Sequence, residues 1–213
     1  MVAHLSRSFL LSLCVCVCSQ ARISQEKEHF LINAFGLLYR EVTAGSLVKV
    51  DMQGNIVDRG NTTLGVNKAG FILHAAVHAA RPDIKCIIHT HVKSTVIVSQ
   101  ASLSPVSFTR IYTVPHVTFY CLQVGSMKQG LMPCSQTAIL VGDVSYHNYQ
   151  GLFVDEEEKE TLARDLGPVN KVMFLRNHGV ITCGVTVEEA WGLMERVIAA
   201  CETQVRDVMK FKS

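Results

Sequence analysis

The segment from Ala69 to His91 constrains the fold more than any other. Its alanines and the apolar positions Phe71, Leu73, Ala76 and Val77 fit a packed helix over residues 69–80. Arg81, Pro82 and Asp83 end that helix, because proline cannot continue one. Lys85 to His91 then reads as a buried apolar strand. A helix, a short break and a buried strand form the unit from which layered α/β domains are built.

The flanking sequence extends that unit. Residues 29–33 read as a short strand. Residues 47–52 alternate as a second strand, which turns at 53–55 into a return strand from Ile56. Residues 61–67 read as loop and 138–141 as a further short strand. Asp155 is a good N-cap for a helix running to about Leu166, stopped by Gly167 and Pro168. Its acidic first turn complements the helix dipole and reads as a solvated helix end rather than a metal site. Residues 171–176 form a strand, Asn177 to Gly179 a turn and Val180 to Cys183 the return strand. Thr186 and Glu189 then make a capping box that starts a helix over about 187–209. Its apolar stripe is Ala190, Leu193, Met194, Val197, Ile198, Cys201 and Val205. Residues 92–123, interrupted by Pro105 and Pro115, read either as two extra strands or as an excursion without regular structure. The whole predicts a mixed sheet with helices packed on it.

Composition narrows the function. The 213 residues suit one domain with a real core. Hydrophobic residues make up 48% and charged residues 18%, which excludes a disordered chain. A net charge of +2 with no Lys/Arg run argues against a nucleic-acid partner. Five of the eight cysteines lie outside the cluster Cys14, Cys16 and Cys18, and no C-x-x-C pair occurs. That odd number does not look like a disulfide framework and favours a reducing compartment. The N-terminus points the other way. Met1 to Arg7 is short and basic, and Phe9 to Cys18 is a compact apolar run followed by small residues. That pattern fits a secretory leader over residues 1–20 and fits the start of a buried element equally well.

The chemistry-bearing residues are histidines. His89 and His91 point to the same side of their strand, because side chains alternate faces. They stand at a strand end, where α/β folds usually place a pocket. His178, in a tight turn after another strand, is the natural third member. Three neutral imidazoles and one open position make a catalytic-type zinc site, although other divalent transition metals suit the same set. On spacing alone, an H-x-H pair is more often two satisfied or surface histidines. His74 and His78, one helical turn apart, read as ordinary helix residues.

Three stretches carry a family resemblance. They are Phe30 to Lys49, Arg81 to His91, and Leu175 to Gly179 with Val187 to Ala190 and Ala200 to Arg206. Together they resemble the class II aldolase/adducin family, and within it the adducin type of head domain rather than the aldolases. The resemblance covers about 24–91 and 124–209. It implies an α/β fold: a three-layer domain over 21–213, with a mixed sheet and helices on both faces. It also implies an N-terminal truncation that removes the first helix and the strands before His29, and an insertion at about 92–123. The family's zinc ligands fall on His89, His91 and His178. The family's catalytic glutamate falls on Gly70, which has no group able to move a proton. The resemblance therefore implies a non-catalytic protein with no required cofactor and at most a residual zinc. Its expected partners are actin, spectrin and further copies or related subunits, at the cytoplasmic face of the plasma membrane. The alternative is a zinc-dependent aldolase or epimerase acting on a small sugar phosphate.

Overall fold

A computed structural model of the chain describes residues 17–24, 26–90, 124–151 and 156–210. In chain order the strands are β1 (Val17–Ser24), β2 (His29–Asn33), β3 (Leu47–Val50), β4 (Ile56–Asp58), β5 (Cys86–Thr90), β6 (Ser145–His147), β7 (Val172–Leu175) and β8 (Gly179–Gly184). The helices are α1 (Lys68–Ala80), α2 (Gln136–Val141), α3 (Glu156–Leu166) and α4 (Val187–Lys210). The strands form one sheet in the order β4-β3-β2-β1-β5-β8-β7-β6. Every described pairing is antiparallel except β6 with β7.

The sheet is covered on both faces, and side-chain alternation sorts its residues between them. Cys86 and Ile88 of β5, Val172 and Phe174 of β7, and Val180 of β8 pack with Ala138 and Val141 of α2 and with the stripe of α4. Their neighbours Ile87, Met173, Leu175, Ile181 and Cys183 pack with Leu73 and Val77 of α1 and Leu162 and Leu166 of α3. Phe71 of α1 extends this second layer over Phe30, Ile32, Val48 and Val50. The expected α/β architecture, a mixed sheet with helices on both faces, is the one observed.

Two expectations need correction. Residues 138–141 are not a strand but the end of α2. Ser135 Oγ accepts a hydrogen bond from the Ala138 amide at 3.1 Å, and Gly142, at φ 77°, ends the helix. Four apolar residues in a row cannot distinguish helix from strand by periodicity. Ala138 and Val141 are buried while Ile139 and Leu140 are exposed, the division of a helix face. The second correction concerns the region before His29, from which strands were expected to be missing. β1 lies there and fills the place between β2 and β5, with Gln20 opposite both Ile32 and Ile87. It runs across the expected boundary at residue 20. Residues 1–16, 92–123 and Asp155 lie outside the described residues.

The start of α4 follows the capping prediction in one arm. The Glu189 amide donates to Thr186 Oγ1 at 3.1 Å. The Glu189 carboxylate reaches the amide of Val185 rather than that of Thr186, and also pairs with Lys171.

Candidate metal centre

The site stands at the end of the sheet where β5 and β7 finish and α1 begins. β5 and β8 place His89 opposite Ile181 and Thr90 opposite Val180. The turn between β7 and β8 then carries His178 back over β5. Asn177 in that turn adopts φ 61°, a left-handed conformation that asparagine tolerates better than most side chains. As a result His89 Nε2 and His178 Nε2 lie 3.2 Å apart, with the two rings stacked at 5.1 Å between centroids.

Hydrogen bonding assigns the tautomer of His89. Its Nδ1 lies 3.2 Å from the Val180 carbonyl, which can only accept, so Nδ1 carries the proton. Its Nε2 therefore presents a lone pair to His178. A carbonyl holding one ring nitrogen so that the other can bind is a recurring support for metal-bound histidine. Two imidazole nitrogens sharing a tetrahedral zinc at about 2.0–2.1 Å stand about 3.3 Å apart. The observed separation fits that arrangement, and it also fits one N–H donating to the other nitrogen. Of the three expected ligands, His91 lies outside the described residues. Among the described residues no group of three His, Cys, Asp or Glu side chains is placed to hold an ion.

Gly70 is in the first turn of α1, its amide donating to Asn67 Oδ1 at 3.3 Å, and that turn holds no acidic residue.

Around the pair, three residues hold positions that the sequence reading did not give them. His74, one turn beyond Gly70, is fully buried, and its ring meets His89 edge-on at 6.4 Å. Burial, reinforced by the charge of His78, pushes its imidazole down to about 3. His78 is pushed down to about 4 by burial and by the Arg22 guanidinium. Phe71, His74, Val77 and His78 share one spacing, so the buried stripe of α1 already contained both histidines. Both are helix residues, as the sequence suggested, but they face the interior, and His74 is the one whose ring meets His89. Tyr149, just past β6, packs its ring on His178 at 3.8 Å between centroids. Its phenol is pushed up by burial and by nearby Glu158.

Glu158 is the third. It was expected in a solvated helix end, but it is buried. It accepts from the Gln150 amide at 3.1 Å and lies 3.6 Å from His147 Nε2. His147 Nδ1 in turn meets Asp165 at 2.8 Å. Glu158 precedes Leu162 and Leu166 by four and eight residues, so it continues their buried stripe. The charge run hid that spacing.

Fold and site together define a class II aldolase-type domain. Residues 10–205 match the family described as Class II Aldolase and Adducin N-terminal domain, and the chain belongs to that family. Mouse alpha-adducin is 50% identical over 185 residues, covering 87% of this chain and 22% of alpha-adducin. Human gamma-adducin is 39% identical over 204 residues, covering 96% of this chain and 24% of gamma-adducin. The chain thus spans about a quarter or less of the adducins it matches. Among solved structures, an aldolase II superfamily protein from Pseudomonas syringae is 40% identical with a TM-score of 0.74, covering 91% of this chain and 66% of that one.

Proposed function

We propose that the chain is a non-catalytic, adducin-like head domain that assembles with itself or with related subunits and takes part in an actin- and spectrin-associated membrane skeleton. The observation that carries this reading is Gly70. Enolising a sugar phosphate needs a positioned acid–base group beside the metal, and the first turn of α1 carries no acidic side chain to serve as one. The likeness to alpha- and gamma-adducin supplies the direction of the reading. His89, His178 and His91 are then a retained zinc site with a structural use at most. No helix among the described residues is long and apolar enough to cross a membrane. By the likeness to the adducins, any membrane association is peripheral and the location cytoplasmic.

Sedimentation velocity of the recombinant chain, alone and mixed with an adducin head, tests the assembly. Self-association or a mixed species at micromolar concentration is expected. A monomer that neither self-associates nor binds the adducin head, and does not pellet with spectrin–actin, contradicts it.

A further inference from the structure

The layer between α1 and the sheet contains a row of polar side chains that the histidine pair does not use. His78 packs on Phe30 at 4.8 Å between ring centroids, and its backbone carbonyl accepts from the Arg22 guanidinium at 2.8 Å. Arg22 is the cross-strand partner of Phe30. α1 runs opposite to β2 and β5, so one turn back along the helix corresponds to about two residues forward along those strands. His74 therefore lies over the next row, Ile32, Gln20 and Ile87. The row after that contains His89, which His74 meets at 6.4 Å.

Gln20 and His78 are 1% exposed and His74 is 0% exposed. Both amide atoms of Gln20, both ring nitrogens of His74 and Nε2 of His78 have no hydrogen-bond partner among the described residues. Buried polar atoms left in this condition carry their full desolvation cost, and native interiors answer that with ordered water. The donor and acceptor inventory suits water. Neutral His74 offers one donor and one acceptor. His78 commits Nδ1 to the Ile84 carbonyl at 3.2 Å and keeps an acceptor at Nε2. Gln20 offers two donors and an acceptor oxygen.

We infer that the seam beneath α1, lined by Gln20, His74 and His78, is an internal binding site for ordered water. It does not rest on the proposed function, because the same side chains need satisfying in an enzyme or in a structural head.

Water–protein cross-relaxation NMR on the unaltered chain tests this directly. The expected result is cross-peaks between long-lived water and both the His74 ring protons and the Gln20 side-chain amide. Gln20→Met, which keeps the shape and removes the partners, should weaken the His74 peaks and lower the melting temperature. A spectrum of the unaltered chain without these cross-peaks overturns the inference, whatever the variant does. A Gln20→Met protein that keeps the His74–water peaks at full strength overturns the part assigned to Gln20.

Discussion

The two faces of the sheet are built differently. The α4 face is an apolar layer: Ile88, Phe174, Val180, Met194, Val197 and Ile198 pack together with few polar intrusions. One of those is Thr182, which is satisfied by donating to the Ala190 carbonyl at 2.9 Å. The α1 face interrupts its apolar cluster with Gln20, Arg22, His74, His78 and His89, all buried. A layer selected only for packing has no use for two deeply buried histidines on one helix. The polar side chains are concentrated on the α1 face, which is also where His89 approaches His178.

Acid should break the α1 face first, and this is the largest expected effect. His74 and His78 are held near 3 and 4 in the fold, below the ordinary 6.5. Above pH 6.5 both are neutral in either state, and their effect on stability is flat. Between 6.5 and 4 the unfolded chain takes up protons that the fold refuses, so stability falls as pH falls. The loss should be on the order of 3 kcal/mol per histidine near pH 4. Urea midpoints measured at pH 7 and 4.5 check it. His74→Leu should remove about half of the pH dependence, whereas a slope that Leu leaves untouched would put the acid-sensitive groups elsewhere.

The α4 face should instead respond to lost volume and ignore pH. Phe174 is fully buried and stacks on Tyr146 at 5.6 Å between centroids. Phe174→Ala should cost about 3–5 kcal/mol in denaturant unfolding, with the same pH slope as the unaltered chain. The smallest effect lies in the turn that delivers His178. Asn177→Ala places alanine at φ 61° and should cost about 1–2 kcal/mol, while Asn177→Gly should stay within a few tenths. Thermal melts of the two variants separate backbone strain from loss of the asparagine side chain.

What the sequence made legible follows the same division. The helix over 69–80, the strand through His89, the hairpin around Asn177 and the long terminal helix all carry strong periodicity or turn chemistry, and each is present. The apolar run at 138–141 was too short to carry a period, so its helix depended on a cap at Ser135 that went unread. β1 was hidden because its composition also suits a leader, and only pairing with β2 and β5 reveals its role. At the site, the sequence nominated His89 at a strand end and His178 in a turn after another strand, but it could not show that the turn closes them to 3.2 Å. His74 and Glu158 were placed wrongly for opposite reasons. His74 looked like an ordinary helix residue, and Glu158 was hidden inside a charge run, although both continue buried stripes.

The central claim is that the fold keeps the histidines of a metal site without the group that would make it an aldolase. It is tested most directly by retro-aldol turnover of small sugar phosphates by the zinc-supplemented chain. The account predicts no rate above the uncatalysed reaction. A measurable rate that disappears in His89→Ala would contradict it.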